Sequence, residues 1–166
     1  MTDLIDKTDN FVLELFKAKL PNTYIFHNYN HTQRVVKSSK ELIENSQLNV
    51  KEQQVILLAA WLHDTGYTVK FEGHEEESIK IATQFLKENN IDQETIEAVS
   101  QCILATKFDV EPTTELEKII KDADCSHLAK DYFHETTEFL RQELQLLNIH
   151  NFTAEEWLDE NIRLLT

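Results

Sequence analysis

The run Val55 to Leu62 (VILLAAWL) is apolar without a break, and His63 and Asp64 follow it at once. A stretch that apolar is buried in any fold it joins, so the histidine and aspartate at its end are carried to the edge of a core. Burying an ionised carboxylate without a partner costs far more than a small domain can spare, so Asp64 has to be hydrogen-bonded, paired or bound to a cation. A metal ion meets that requirement most directly. Two further residues support it, because His31 upstream and Asp124 downstream each fall on the inward face of a helical pattern. The ordered set H...HD...D constrains this chain more than any other feature does.

Around that set the chain reads as helix after helix. Only two glycines and two prolines interrupt 166 residues, and Glu, Gln, Lys and Leu are plentiful, a composition that favours helices. Asp3 caps a first helix that runs to about Leu20, where Pro21 stops it. The aromatic stretch PNTYIFHNYN is irregular. Asn30 is placed to cap a second helix from His31 to about Asn45, with Val35, Val36, Leu42 and Ile43 on its buried side. A third spans about Asn49 to Asp64 and is ended by Gly66. Gly73 precedes a fourth, from His74 to about Asn89, with Glu75, Glu76 and Glu77 at the positive end of its dipole. Asp92 caps a fifth, reaching about Thr106, and Pro112 lies before a sixth, roughly Thr114 to Lys130. Two amphipathic segments, near Tyr132 to Leu147 and Ala154 to Leu165, read as packing. No repeat, low-complexity tract or linker marks a boundary. The expectation is one all-α domain over residues 1–166 with seven or eight helices and its motif-bearing core at about 24–130.

A net charge of −14 repels a polyphosphate backbone, which argues against an extended nucleic-acid groove while leaving room for a small phosphate drawn in by a metal. The N-terminus MTDLIDKTDN has no basic n-region or long apolar h-region, and no run approaches membrane-spanning length, so a cytoplasmic protein without membrane contact is expected. Cys102 and Cys125 lack CxxC spacing and are both read as reduced, buried fillers.

His31 shares a helical row with Val35, Ser38 and Leu42, which points its imidazole inward. On its own such a residue is a core histidine. His63 and Asp64, being adjacent, reach one ion only where a helix end loosens, and Gly66 supplies that end. Asp124 shares a row with Ile120 and Leu128, whereas Asp122 shares one with Lys118 and Ser126, so the periodicity buries Asp124 and solvates Asp122. The competing reading gives Asp124 a structural hydrogen bond or a salt bridge, to Lys121 or Lys107. Two imidazoles and two carboxylates form a mixed nitrogen and oxygen donor set that suits Mn, Fe, Co, Ni or Zn better than Ca. Four protein ligands leave positions open on a six-coordinate ion, where water loses its proton more readily, so hydrolysis is the expected chemistry.

HNYNHTQRVV with His31, LAAWLHDTGY with His63 and Asp64, and IIKDADCSHL with Asp124 resemble, in order and approximate spacing, the HD-domain superfamily of metal-dependent phosphohydrolases, over about residues 24–130. The resemblance implies an all-helical fold, metal ligation by His31, His63, Asp64 and Asp124, and cleavage of phosphomonoesters, phosphodiesters or nucleotide phosphoanhydrides. Some members of that family place two more histidines after the HD pair to bind a second metal. His74, on the inward row of its helix with Ser78 and Ile81, matches the first, but QCILATKFD offers Gln101, Thr106 and Lys107 where the second would stand. One ion is therefore expected, with a second only through His74. The GYP signature of the cyclic-dinucleotide phosphodiesterase branch is replaced here by Thr65, Gly66, Tyr67 and Thr68, so that substrate is not assigned.

Around the centre, Asp64 is expected to position the attacking water as well as the ion, and Lys107 or His74 to offset charge on phosphoryl oxygens as catalytic and substrate-binding groups. A snorkelling lysine at a helix end is the alternative for Lys107. His27, four residues before His31, imitates a zinc-type HxxxH pair, but Asn28 and Asn30 argue against a continuous helix there, which leaves it as a substrate-pocket residue. Tyr67 and Phe71 line a pocket or serve as plain core. Glu75 and Glu76 act as acid, base or outer partners, or only serve the helix terminus. His127 is placed to orient a ligand or phosphate, while His134 and His150 have no supporting pattern. The function expected is metal-dependent hydrolysis of a small phosphorylated substrate such as a nucleotide, by a monomer or a homo-oligomer. The alternatives are a non-catalytic HD-type module that binds metal or nucleotide, and a helical interaction protein that uses its acidic surface.

Overall fold

The computed structural model describes residues 2–165, and among them all regular structure is helical: α1 (Thr2–Lys19), α2 (Tyr29–Glu44), α3 (Val50–Leu62), α4 (His74–Glu88), α5 (Gln93–Ala105), α6 (Glu115–Asp124), α7 (Phe133–Leu146) and α8 (Ala154–Leu165), with 3-10 turns at Thr65–Thr68 and Cys125–Ala129. The expected all-α architecture is what the chain adopts. No helix among the described residues is long and apolar enough to cross a membrane.

The arrangement follows from α3. Asn49 accepts from the N–H groups of Lys51 and Glu52, and the Glu52 carboxylate accepts from the Asn49 N–H, a reciprocal cap that starts the helix at Val50. From Val55 to Leu62 every residue is buried, so beyond its exposed first turn at Val50 and Lys51 this helix has no solvent face and must sit at the centre of a bundle. α1, α2, α5 and α6 pack around it, and α4 lies over α5 and the Thr65–Thr68 turn. Ile56, Leu58, Leu62, Leu86, Ile103 and Ile120 are fully enclosed, each contributing roughly 1.5–3 kcal/mol by leaving water. Caps fix the neighbours: Asp92 accepts from the Thr95 N–H at α5, and Thr114 and Glu117 form a second reciprocal cap at α6.

Several boundaries differ from expectation. Asn28, not Asn30, caps α2, with its Oδ1 3.0 Å from the Asn30 nitrogen and 3.4 Å from that of His31. Two asparagines two residues apart both suit a cap; Tyr29, hydrogen-bonded to Asp9 and stacked on Trp61 at 5.9 Å, draws the chain into the helix at the earlier one. The buried stripe of α2 runs through Val35, Val36, Ser39 and Ile43 and leaves Leu42 at its margin, 37% exposed. The third helix stops at Leu62, with His63 as its C-cap and Asp64 already outside helical geometry at φ −101°, ψ 3°. The sixth gives way to the 3-10 turn after Asp124. Cys102 is buried as expected, but Cys125 is exposed, because it follows the inward-facing Asp124 by one residue and that rotation carries it to the solvent side.

Gly66 does something other than stop a helix. A Cβ there would sit 1.8 Å from the His74 carbonyl oxygen and 2.8 Å from the Ser78 nitrogen, so the first turn of α4 lies directly on the turn that follows Asp64. The Gly66 N–H donates to Ser78 Oγ at 2.8 Å across that contact. Gly73, at φ +71°, turns the chain into α4 in a conformation that disfavours a side chain.

Candidate metal centre

Three helix ends meet beside α3. His31 stands in the first turn of α2, His63 and Asp64 at the end of α3, and Asp124 closes α6. His31 Nε2 lies 3.1 Å from Asp124 Oδ1 and 3.4 Å from Asp64 Oδ2, and His63 Nε2 lies 3.2 Å from Asp64 Oδ2 and 3.5 Å from Asp124 Oδ1. Donor atoms of His31, His63 and Asp124 all fall within 4.8 Å of one another. Asp64 falls outside that group of three, though its Oδ2 lies against both histidines. His31, His63 and Asp64 are buried, while the Asp124 side chain keeps 24% exposure and marks the open side.

The electrostatics of the bare cluster are those of a site short of positive charge. Burial opposes the charge on His63, but Asp64 and Asp124 outweigh it and hold the imidazole pKa well above its usual value. Burial also opposes ionisation of Asp64 and Asp124, yet His63 and His31 beside them hold both carboxyls below the ordinary range. His31 Nε2 is hydrogen-bonded to Asp124 Oδ1 at 3.1 Å, but between His63 and Asp64 contact does not amount to a hydrogen bond. His63 Nε2 and Asp64 Oδ2 face each other but are misaligned, and each is a buried polar atom with no hydrogen-bond partner. His63 Nδ1 lies 2.9 Å from the Ala60 carbonyl; donating there leaves the Nε2 lone pair free, the arrangement of a metal-bound histidine. Two orphaned atoms, a fixed tautomer and a mixed nitrogen and oxygen donor set fit a divalent cation.

The structure decides several surrounding expectations. Asp124 makes no salt bridge to lysine, since Lys121 is spent on the carbonyls of Lys107 and Val110 and Lys107 on Glu76. His74 stands outside the four, its Nε2 3.6 Å from Asp64 Oδ1 and its Nδ1 3.1 Å from the Phe71 carbonyl. Burial lowers its pKa against the pull of Asp64 and Glu75. No histidine joins it from α5: Gln101 is exposed and the Thr106 hydroxyl donates to its own helix. Glu75 is buried with Oε2 3.5 Å from His74 Nδ1, so it does more than serve a helix terminus. Glu76 accepts from Lys107 Nζ at 2.9 Å, a pair that occupies the lysine expected to stand free for phosphate. Tyr67 is stacked on His74 at 3.8 Å and packed on His27 at 4.6 Å; burial, with the charge of Asp64 and Asp124, holds its phenol protonated. With Phe71, His74, Glu75 and Lys107 it lines a groove of about 340 Å³. His127 places Nδ1 3.4 Å from the Asp124 carbonyl and its ring edge against Phe26. His134 is exposed, and His150 stacks on Phe152 at the far end of α7.

One residue near the centre escaped the sequence reading. The α7 segment, expected only to pack, sends Glu143 into the interior with no exposure at all. Its Oε2 accepts from the Phe26 and His27 N–H groups at 2.7 and 3.0 Å, and its Oε1 lies 2.5 Å from His27 Nδ1. Burial opposes a charge on His27, but the hydrogen bond to Glu143 and the charges of Asp64, Glu143 and Asp124 raise its pKa. The signal was present: Glu143 occupies the same row as Thr136, Leu140 and Leu147, the buried side of α7.

Compared with models of known protein families, the chain matches that of the HD domain over residues 28–129. The matched span takes in His31, His63, Asp64 and Asp124 and ends before Glu143. No curated protein and no solved structure matches the chain.

Proposed function

Because this chain belongs to the HD-domain family, whose domains bind divalent metals and are typical of metal-dependent phosphohydrolases, we propose that it hydrolyses a phosphate ester or nucleotide phosphate of a small molecule. The observation that carries the reading is the pair of buried, facing atoms without hydrogen bonds, His63 Nε2 and Asp64 Oδ2, set among four convergent donors. His31, His63, Asp64 and Asp124 are the ligands of one divalent transition metal. A cation held there supplies Lewis-acid activation of water and of the phosphoryl group.

The remaining steps belong to the protein. Asp64 Oδ1 is the oxygen on the His74 side, 3.6 Å from its Nε2, and it accepts a hydrogen bond from the attacking water and aims it. His74, steadied by the Phe71 carbonyl and the stacked Tyr67 ring, carries its ring proton on Nδ1, so its Nε2 faces Asp64 as an acceptor for the attacking water rather than as a donor to phosphate. Lys107 stands on the groove rim and reaches a phosphate only by exchanging Glu76 for it. With a net charge of −14, the surface suits a small phosphorylated substrate such as a nucleotide better than a nucleic acid.

A non-catalytic HD-type module is the second reading, favoured by how closed the cluster is on the side of His31, His63 and Asp64. Purified protein tested on a panel of phosphate esters with Mn, Fe, Co, Ni and Zn separates the two. Turnover that needs a metal and is lost in His63→Ala supports hydrolysis; no turnover with any metal, or turnover indifferent to that substitution, refutes it.

A further inference from the structure

Of the three arginines in the chain, Arg141 is bonded to Glu138 and the Phe152 carbonyl, and Arg163 to Glu160. Arg34 has no such partner among the described residues. Its guanidinium makes no ion pair or hydrogen bond, and its half-buried stem leaves Nε enclosed without an acceptor. Want of acids is not the reason, since 30 aspartates and glutamates face 16 lysines and arginines in this chain. Lys37, three residues on, is exposed and also unpaired, and like charges on neighbouring positions of one helix repel. With Ser38, Glu41, Lys130 and Tyr132 these two cations line a pocket of about 200 Å³. Glu41 lies 3.4 Å from Lys130 and balances it, so the pocket holds two positive charges in excess.

The pocket is built on elements that also build the metal centre. α2 carries His31 and, one turn later, Arg34, and residues so spaced have Cβ atoms about 5–6 Å apart. The turn Cys125–Ala129 follows Asp124, and its Ser126 hydroxyl is hydrogen-bonded to that of Ser38 at 2.8 Å, which ties the turn to α2 beside the pocket. The space is smaller than the roughly 300–1,000 Å³ of pockets that enclose a whole ligand, and it suits a single functional group. Arg34 and Lys37 offer donors from α2, and Tyr132 offers its hydroxyl from the opposite wall. Donors on two walls with a surplus of two positive charges suit the several oxygens of a tetrahedral dianion better than a flat carboxylate. We propose that Arg34 and Lys37 form a subsite for a phosphoryl group, beginning one helical turn from His31. That group is either a second phosphoryl group of the substrate or free inorganic phosphate, and only the first of these rests on the hydrolase reading.

The test begins with binding. Chelator-treated protein, in which no metal draws phosphate to the centre, is titrated with inorganic phosphate at constant ionic strength while the arginine Nε–H signals are followed by NMR. The Arg34 signal should shift saturably, and those of Arg141 and Arg163 should stay in place. Lys37→Ala should weaken binding roughly ten- to hundredfold, the range for one hydrogen bond to a charged group. Lys40→Ala removes the same charge from the same helix outside the pocket, and should leave the affinity within about threefold. An Arg34 signal indifferent to phosphate overturns the proposal, and so do equal losses in the two lysine variants, the mark of a diffuse basic stripe. The wild-type titration decides even where a variant fails to fold. A second arm, with metal supplied, identifies the source. Arg34→Ala should raise KM for an ester with a second phosphoryl group roughly ten- to hundredfold relative to KM for a monophosphate ester, if the substrate fills the subsite; a ratio left at the wild-type value makes free phosphate the ligand. A protein that binds phosphate at Arg34 yet hydrolyses no ester would end the hydrolase reading alone; an active enzyme with an indifferent Arg34 would end this one alone.

Discussion

Gly66→Ala isolates the contact that places the HD turn. The added Cβ would lie 1.8 Å from the His74 oxygen, 2.7 Å from the His74 carbonyl carbon and 2.8 Å from the Ser78 nitrogen. All three are backbone atoms, so no side chain can swing aside, and α4 or the turn after Asp64 has to move by well over an ångström. The backbone at Gly66 is not in the left-handed region, so the effect is steric and not conformational. Overpacking costs about 1–3 kcal/mol and occasionally more, and opening the Gly66 N–H to Ser78 Oγ bond adds about 1 kcal/mol. The sum is about 2–4 kcal/mol, which for a domain of this size lowers Tm by roughly 4–16 °C. Because the turn begins one residue after Asp64, metal affinity should fall as well, by roughly tenfold or more. Thermal melts by circular dichroism in chelator, with a Zn²⁺ titration of the same samples, measure both. A variant that melts within about 2 °C of wild type and binds metal equally would show that the close approach places nothing.

Three further outcomes are expected. A divalent metal at a hundredfold excess over its Kd should stabilise the fold by about 2.7 kcal/mol, a rise in Tm of roughly 5–11 °C; a chelator-insensitive melt contradicts this. In metal-free protein, His63 is held above its usual pKa despite burial, by Asp64 and Asp124. Its contribution is therefore complete below about pH 6.5 and lost as pH rises through the folded value. Metal-free Tm should fall across that window while the gain from metal grows with pH, because the ion binds the unprotonated imidazole; a flat profile in both states refutes it. Burial pushes the Cys102 thiol up to about 12; Cys125 reaches the surface, but the partial desolvation of its sulfur and the charge of Asp124 push it up to about 11. At pH 8 a disulfide reagent should find one slow thiol, on exposed Cys125, and two after denaturation; rapid modification of both in the native protein would be the contrary result.

The helices were legible because period and caps agree. Asn49, Asp92 and Thr114 each announce a start that the structure keeps. Ends were harder where two residues offer the same chemistry, as Asn28 and Asn30 do, or where a residue's role lies in tertiary contact. Gly66 reads along the chain as a stop, and only the approach of α4 reveals why a side chain is barred. The convergence of these side chains was readable since each is a polar residue at the end or on the inward row of its helix. Glu143 satisfies the same criterion, yet its partners Phe26 and His27 lie 117 and 116 residues away, and no local motif joins them. The Lys107 and Glu76 pair was equally hidden, for it exists only through the packing of α4 on α5.

Anomalous diffraction from crystals grown with Zn²⁺ or Mn²⁺ tests the centre most directly. One peak is expected about 2.0–2.2 Å from His31 Nε2, His63 Nε2 and an oxygen of each of Asp64 and Asp124. A map with no peak among those four side chains, or with the ion bound elsewhere, would contradict it.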